Sequence, residues 1–582
     1  MKCTGRKLIS GFFVAGNIFC IFRGGKTVEY IIVQAGGKGT RLGHLTQNKP
    51  KALLPVENLP MLFHLFRKYP DRRFIIIADY QKEVLREYLA AFADVKYQIV
   101  DAEGTGTCAG IRQALSLIPD RQPFMLIWSD LILPEEFRLP KEYEDREVPT
   151  EDSDKQAPCA DVSTKADVMK CPQNDYIGIS AAFPCRWSYR DGGFKEEPSC
   201  ENGVAGFFLF TDKSKLQDTP FSGELVRWMQ SEGIRFREIS LAGTREFGLL
   251  EEYRRLERVK CRPFNRITIE GDVLVKEALD AQGGVLAKRE CAWYDKAESL
   301  IAEQAGDMGG DVSRADTLPD RRGCHGRCQG NPGAFLPAIY SKNPLKMEYI
   351  RGQNLYECDL DREGKQRVLR KLVSALDAIH DLEQVPADSF SMKEAYYRKT
   401  MDRLSRVEDL VPFARDREIL INGKKCRNVF FHKRELEKKL EQLTCTQFCF
   451  IHGDCTFSNL LLREDGTPVL IDPRGYFGFT DFYGDVRYDW AKLYYSIVGN
   501  YDRFNLKDFR LDITEQGATL DISSNHWEDM EEDFFELTGA EKEEIRLLHA
   551  IIWLSLTTYA WQDYDSVCGA FYNGLYYLED IL

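Results

Sequence analysis

The stretch that decides the fold of the first half of the chain runs from Ile31 to Val56 and reads IIVQAGGKGTRLGHLTQNKPKALLPV. An apolar run typical of a buried strand leads directly into a glycine-rich turn. Because Gly36, Gly37 and Gly39 carry no side chain, their backbone N–H groups can approach phosphate oxygens closely. The pattern predicts a phosphate-binding loop at the carboxyl end of a strand, where ligands bind in open α/β sheets.

Two cations follow this turn. Arg41 and Lys51 can neutralise the charge that builds on an α-phosphate and on a departing pyrophosphate, so they are candidate catalytic residues. Asp130 ends a later apolar run, FMLIWSD, and is placed to hold Mg²⁺ together with the phosphates.

Short apolar runs alternate with helical patterns outward from this stretch. EYIIVQA, RFIIIADY, KYQIVDA and FMLIWSD read as strands, whereas MLFHLFRKY, QKEVLREYLAAFA and CAGIRQALSLI read as helices. This order predicts an α/β domain built on a doubly wound, mixed, Rossmann-like sheet.

The string GGKGTRLxxLTxxxPKALLPV resembles the signature of sugar-1-phosphate nucleotidyltransferases. The resemblance implies that the glycines and Thr40 bind the triphosphate and that Arg41 and Lys51 are catalytic. Residues 104–110, GTGTCAG, resemble the base-contacting segment of that family. Further segments resemble its sugar-facing and second metal segments, with Glu197, Val204 and Glu246 departing from the usual residues. The implied roles are nucleotide binding for Gly36, Gly37, Gly39, Thr40, Gly106 and Thr107, substrate contact for Glu196 and Gly206, and metal binding for Asp130 and Glu246.

A second motif runs from Phe450 to Gly475 and reads FIHGDCTFSNLLLREDGTPVLIDPRG. Kinase chemistry needs one carboxylate that accepts the proton of the acceptor hydroxyl, and an amide and a second carboxylate that hold Mg²⁺ on ATP. Asp454, Asn459 and Asp472 fit these roles in that order. His452 reads as a structural residue of the loop.

This motif resembles the aminoglycoside phosphotransferase and choline kinase superfamily, relatives of protein kinases. The resemblance implies a bilobal α+β fold in which Lys276, partnered by Glu290, binds the nucleotide phosphates. The segment 346–352, KMEYIRG, resembles the adenine-binding hinge and implies nucleotide contacts at Glu348 and Ile350. Asp489, in GDVRYDWAKL, is expected to support the catalytic loop. Pro473-Arg474 stands where many relatives have Trp-Glu or Leu-Asp, and Arg474 is a candidate for contact with the acceptor or a phosphate.

The expected organisation is an extension at 1–27, a nucleotidyltransferase domain at 28–256 with a polar insertion at 142–172, and a kinase-like domain at 257–582. The second domain divides into an N-lobe at 262–350 and a helix-rich C-lobe at 353–582.

Composition excludes several classes of function. A chain of 582 residues with a formal net charge of −13 and no long basic run is not expected to bind nucleic acid. The 17 cysteines are scattered, which favours a reduced cytoplasmic protein. Zinc at the cluster Cys324–Cys328 would need a second ligand pair, and the distant candidate pair, Cys445 and Cys449, precedes a motif strand and reads as core. The apolar segment Leu8–Phe22 is too short and too interrupted for stable membrane insertion. The sequence leaves open whether the protein forms a homo-oligomer.

The two motifs together predict a bifunctional Mg²⁺-dependent enzyme that uses ATP and a second NTP on small-molecule substrates. Its kinase would phosphorylate a hydroxyl compound, with a sugar or polyol favoured, and its transferase would convert the ester into an NDP-activated precursor for surface glycans, capsules or lipids. Two alternatives remain at this stage: a choline, ethanolamine or phosphonate kinase–cytidylyltransferase, and a chain in which one lobe only binds or regulates. The base of the NTP and the acceptor stay open.

Overall fold

The computed structural model describes residues 27–143, 174–248, 250, 253, 265–279, 281–307 and 332–582. The apolar segment Leu8–Phe22, most of the insertion at 142–172, the end of the first domain at 254–256 and the cluster Cys324–Cys328 lie outside the described residues. Within the described ranges, no helix is both long enough and apolar enough to cross a bilayer.

The first domain contains 13 described strands, of which nine form its main sheet. The strands are β1 Tyr30–Gln34, β2 Pro55–Val56, β3 Leu59–Pro60, β4 Arg73–Ala78, β5 Lys96–Asp101, β6 Phe124–Trp128, β7 Leu131–Ile132, β8 Tyr176–Ser180, β9 Ser188–Arg190, β10 Gly193–Lys195, β11 Gly203–Phe210, β12 Arg237–Ser240 and β13 Arg245–Glu246. The helices are α1 Met61–Lys68, α2 Lys82–Phe92, α3 Ile111–Ser116 and α4 Leu225–Ser231.

The main sheet has the predicted doubly wound, mixed character. β5, β4, β1 and β6 run parallel, and β11 joins β6 antiparallel. β1 is central because its apolar residues Ile31, Ile32 and Val33 are fully buried between helices on both faces of the sheet. The carboxyl ends of β1 and β6 therefore lie side by side, which brings the glycine-rich turn next to Asp130.

The second domain begins with a small antiparallel sheet and a long helix and continues into a mostly helical lobe. Its strands are β14 Asn265–Glu270, β15 Val273–Ala278, β16 Ile339–Lys342, β17 Leu345–Glu348, β18 Gly352–Asn354, β19 Gln384–Pro386, β20 Glu418–Ile421, β21 Lys424–Arg427, β22 Gln447–Phe450, β23 Leu460–Arg463, β24 Pro468–Leu470, β25 Tyr476–Phe477, β26 Thr480–Asp481, β27 Tyr483–Gly484, β28 Phe509–Thr514 and β29 Gly517–Ile522. Its helices are α5 Ala281–Asp307, α6 Arg362–His380, α7 Ser389–Lys393, α8 Lys399–Val407, α9 Lys433–Glu441, α10 Val486–Ile497, α11 Tyr501–Asn505, α12 Glu531–Thr538, α13 Lys542–Leu556 and α14 Tyr564–Leu578.

The C-lobe contains a four-stranded sheet that the sequence analysis did not anticipate, in the order β21-β20-β29-β28. The strands β20 and β29 alternate buried and exposed residues, and their buried side chains pack onto the C-terminal helices. Helices α13 and α14 form the centre of this lobe, where Trp553, Tyr564 and Tyr572 are buried. These aromatic residues belong to the core.

The two domains meet through a buried polar contact and an aromatic cluster. Lys49 of the glycine-rich segment forms ion pairs with Asp563, at 2.9 Å, and Asp565, at 2.5 Å. Beside them, the Trp561 ring packs against Phe63 and Phe92 of the first domain, with ring centroids 5.3 and 6.0 Å apart. The second domain thus rests directly on the segment that carries the first motif.

Candidate active sites

The first candidate site is built on the turn that follows β1. Gly39 has a φ of 64°, a left-handed conformation that costs glycine nothing. The chain then returns through a single 3₁₀ turn, Lys51–Leu53, whose first N–H donates to the carbonyl of Gly37 at 3.4 Å. This return places Lys51 over the glycine-rich turn.

Lys51 faces Asp130, with 2.5 Å between Nζ and Oδ2. Glu246 lies beside them because β13 pairs with β7 and sets Glu246 opposite Leu131. Arg41 reaches the same place: a Cβ added to Gly248 would lie 2.6 Å from Oε1 of Glu246 and 3.3 Å from Nη2 of Arg41. The structure therefore brings four of the predicted residues together.

The residues fit a bound Mg²⁺. Oδ1 of Asp130 is buried and has no hydrogen-bond partner, and a second carboxylate, Glu246, stands next to it. Carboxylate oxygens that complete their coordination with substrate phosphates are the usual ligands of this ion. In such a site Asp130 and Glu246 would hold the metal, which would supply positive charge at the α-phosphate.

The predicted base-contacting segment packs against the loop at 221–225. Gly106 has a φ of 78°, and a Cβ there would lie 2.4 Å from the carbonyl oxygen of Gly223. Oγ1 of Thr107 accepts a hydrogen bond from the N–H of Leu225 at 2.8 Å. Gln34, at the end of β1, donates to the carbonyl of Thr107, which ties this segment to the edge that carries the glycine-rich turn.

The two predicted substrate residues have different surroundings. Gly206 has a φ of 80° and lies against Trp128, near the end of β6 that leads to Asp130. Glu196 pairs at the surface with Arg186, at 2.5 Å, and with Arg227, at 2.7 Å. Its carboxylate is thus already neutralised by two guanidinium groups.

The second candidate site centres on Lys276 of β15. Its Nζ lies 2.7 Å from Glu290 of α5 and 2.7 Å from Asp472. Burial and the nearby charge of Asp472 raise the pKa of Glu290 to about 7. The three predicted residues thus form one buried cluster, in which Lys276 can meet the phosphates of a nucleotide.

The catalytic loop is held by a network around Asp489. The carboxylate of Asp489 accepts hydrogen bonds from the backbone N–H of His452, at 2.9 Å, and of Gly453, at 2.7 Å. It also contacts the ring of His380 at 3.0 Å. His452 is fully buried and its Nε2 bonds to the carbonyl of Ile471, consistent with its predicted structural role.

Asp454 projects from this loop and contacts one predicted residue, Asn459, and one that was not predicted, Lys492. The Asn459 side-chain amide donates to the Asp454 carbonyl, at 2.8 Å, and to its carboxylate, at 3.1 Å. Lys492, which sequence reasoning missed, lies 2.9 Å from the same carboxylate. Because the amide nitrogen of Asn459 is engaged, its oxygen is oriented as an acceptor, and together with Asp472 it can hold the Mg²⁺ of a bound nucleotide.

The segment 346–352 connects the two lobes. Glu348 forms a bidentate pair with Arg463, with distances of 2.6 and 2.9 Å, and Ile350 is buried. The Glu348 side chain is therefore engaged with Arg463, and contact with a nucleotide base at this segment would come from backbone groups.

Arg474 donates to the hydroxyl groups of Tyr488, at 2.6 Å, and Tyr476, at 2.9 Å. Two further cations, Lys399 and Arg403, line the same cavity and were not anticipated. They are four residues apart on α8 and so share one helix face. Two cations at this spacing also occur on ordinary solvent-exposed helices, so the sequence does not mark them as site residues.

Two family models match the chain, one for each site. Residues 31–152 match the MobA-like NTP transferase domain, and residues 344–516 match the phosphotransferase enzyme family. The chain therefore carries a nucleotidyltransferase domain followed by a kinase-like phosphotransferase domain, and transferase activities of both kinds are indicated.

Similar proteins are found for the first domain. The bifunctional protein GlmU of Methanocaldococcus jannaschii is 31% identical over 103 residues, which is 17% of this chain and 24% of that protein. The UTP–glucose-1-phosphate uridylyltransferase AglF of Haloferax volcanii is 37% identical over 60 residues, 10% of this chain and 25% of that protein. The chain thus spans about a quarter of the length of these curated relatives. The crystal structure of HddC from Yersinia pseudotuberculosis aligns with 39% of this chain and 98% of its own, with a TM-score of 0.30 and 16% identity.

Proposed function

We propose that this transferase phosphorylates a hydroxyl group of a sugar or polyol with ATP in its second domain. The first domain then joins the phosphate ester to an NTP and releases pyrophosphate. The NDP-activated product would supply the synthesis of a surface glycan, capsule or lipid, in the cytoplasm where nucleotides are available.

The observation that carries this proposal is that both sets of reactive groups are assembled in one chain. Lys51 and Asp130 meet at 2.5 Å beside Glu246, whereas Asp454, Asn459 and Asp472 surround the place where a nucleotide would reach Lys276. Complete sets at both sites argue against the alternative in which one domain only binds or regulates.

The location of the second site supports a sequence of two reactions. Asp454 faces a cavity of about 1320 Å³ whose lining includes His44, Glu57 and Asn58 of the first domain. A phosphate ester formed at Asp454 is therefore released into a space that both domains enclose.

A mass-spectrometric screen tests the proposal directly. The protein is incubated with Mg²⁺, ATP, the other NTPs and a pool of hexoses, heptoses, polyols, choline and aminoethylphosphonate. An NDP-sugar or NDP-polyol is expected. CDP-choline as the product would replace the proposal by the amino-alcohol alternative.

Two variants separate the reactions. Asp454→Asn is expected to abolish ATP-dependent phosphorylation and to leave nucleotidyl transfer from a supplied phosphate ester intact, because it removes only the proton acceptor of the second site. Lys51→Met is expected to do the reverse. Asp481→Asn and Lys96→Met, which change exposed residues of the same types, serve as matched controls. A folded variant of either site that loses both activities contradicts the two-site proposal.

A further inference from the structure

Four cationic side chains line the cavity on the side of Asp454 that belongs to the helical lobe. They are Lys399 and Arg403 of α8, Arg474 after the second motif, and Lys492 of α10. All four are partly buried. Such a concentration of one charge inside a cavity is unusual in a chain whose net charge is −13.

Three of these cations form no ion pair with a carboxylate of the described residues, although the burial of Arg474 is countered in part by the charge of Asp454, which helps to raise the pKa of that guanidinium group. Among the described residues, no carboxylate lies within 4.0 Å of the charged nitrogens of Lys399, Arg403 or Arg474. Arg403 donates instead to the Ser555 carbonyl, at 2.6 Å, and to its hydroxyl, at 3.0 Å. Neutral acceptors orient a guanidinium group without neutralising it, so the positive charge remains available to a ligand.

The cations also act on one another. Burial, followed by the charges of Arg474 and Arg403, lowers the pKa of Lys399 well below its usual range. Burial and Arg474 likewise lower the pKa of Arg403. Mutual repulsion among partly buried cations costs free energy in the ligand-free protein, and a bound anion would relieve it.

The expected position of the ATP phosphates does not account for Lys399 and Arg403. The nucleotide is expected at Lys276, Asn459 and Asp472, on the side of the small sheet. Arg403 is fixed instead to α13 of the helical lobe through Ser555, and Lys399 lies one helical turn before it on α8. Both therefore lie on the acceptor side of Asp454.

We infer that the acceptor is an anion: a hydroxyl compound that already carries a phosphate, phosphonate or carboxylate group, which Lys399, Arg403 and Arg474 bind. This inference rests on the proposed kinase activity and specifies its substrate class. The acceptor hydroxyl oxygen bonds to the γ-phosphorus of ATP, the bond from that phosphorus to the bridging oxygen breaks, ADP leaves, and the hydroxyl proton passes to Asp454. A quaternary ammonium acceptor such as choline would meet the like charges of Arg403 and Arg474 in this cavity.

Matched acceptors test the inference. The full-length protein is given ATP, Mg²⁺ and one acceptor from either of two series. The first series is glycerol, glycerate and glycerol 3-phosphate, and the second is glucose, glucuronate and glucose 6-phosphate. The first member of each series is neutral and the other two are anions. When ADP release is measured, kcat/KM is expected to be on the order of 10–100-fold higher for an anionic acceptor than for the neutral acceptor of the same series. If the neutral member or choline is preferred, the inference is wrong while the kinase activity stands.

Binding of inorganic phosphate provides a readout that does not need turnover. Lys399→Met removes a partly buried amine that forms no ion pair among the described residues, so it is expected to raise the melting temperature and yet weaken phosphate binding measured by calorimetry. Arg403→Met is expected to weaken binding as well, whereas Arg398→Met, an exposed change just before α8, is expected to leave it unchanged. Equal phosphate affinity in the wild type, Lys399→Met and Arg403→Met would overturn the inference. Because this measurement does not need turnover, its result stands even if no acceptor is phosphorylated and the proposed kinase activity fails.

Discussion

Lys49 provides the sharpest test of how the two domains are joined. Its side chain is 3% exposed and forms ion pairs with Asp563 and Asp565, whose side chains are 5% and 15% exposed. Burial opposes the charge of Lys49, but the two carboxylates outweigh it and raise the pKa of Lys49 above its usual range. Replacing Lys49 with Met leaves two adjacent buried carboxylates without their main partner. Removing one partner of such a pair costs about 3–5 kcal/mol of unfolding free energy.

The assay is urea denaturation followed by tryptophan fluorescence and circular dichroism, with Lys542→Met as control. Lys542 pairs with Glu532 at 2.6 Å, but their side chains are 45% and 76% exposed, so its loss is expected to cost at most about 1 kcal/mol. A triple variant, Lys49→Met with Asp563→Asn and Asp565→Asn, is expected to recover part of the loss, because both carboxylate charges are removed while the nearby, partly buried Lys507 loses their support. Asn at position 563 can still cap α14, which Asp563 now does through the N–H of Ser566.

The position of Lys49 also predicts a functional effect. Lys49 precedes Lys51 by two residues, so loosening it should slow nucleotidyl transfer more than phosphotransfer. The reasoning is refuted if Lys49→Met is as stable as Lys542→Met, or if the triple variant is no more stable than the single one.

Two further predictions concern protonation and metal binding. Burial lowers the pKa of His549 from 6.5 to about 3, so below pH 6.5 His549 binds a proton in the unfolded chain but not in the folded one. At pH 5 this difference lowers the free energy of unfolding by about 2 kcal/mol. His549→Gln, which keeps an acceptor for Trp553, should therefore lose less stability than the wild type between pH 7 and pH 5. An equal loss in both proteins would contradict the assignment. Glu246→Gln should raise the Mg²⁺ concentration needed for half-maximal nucleotidyl transfer, and it should leave the Mg²⁺ concentration needed for half-maximal phosphotransfer unchanged. If both concentrations rise in parallel, Glu246 is not a metal ligand specific to the first site.

Local sequence patterns were sufficient to predict the main elements that position the two sites. The apolar runs of β1, β4 and β6 are short, continuous and separated by helical patterns, which predicts strands of a parallel sheet, and the structure buries these runs. The pairing of Lys276 with Glu290 followed from the resemblance, and the structure places these side chains 2.7 Å apart.

Contacts between distant segments could not be predicted in this way. The partners of Lys49 lie more than 500 residues along the chain, and no local signal links them to the glycine-rich segment. The sheet formed by β20, β21, β28 and β29 was missed because its two hairpins join only where Ile421 of β20 pairs with Ala518 of β29, about 100 residues apart. In addition, β20 and β21 have only four residues each, and β21 is largely polar. In the sequence, Lys399 and Arg403 cannot be told from charged residues of a solvent-exposed helix face, whereas in the structure both line the cavity.

The interface places a specific constraint on how the two activities depend on each other. The carboxylates that neutralise Lys49 come from the N-terminal end of α14, and α14 packs along α13, the helix whose Ser555 orients Arg403. One pair of helices therefore touches both the segment that carries Lys51 and the cation cluster at the acceptor side of Asp454. An anion bound at Arg403, as inferred above, would contact the same pair of helices that holds the partners of Lys49. It follows that a first domain separated from residues 542–578 would lose the partners of Lys49, so the segment that carries Lys51 depends on a structural element of the second domain.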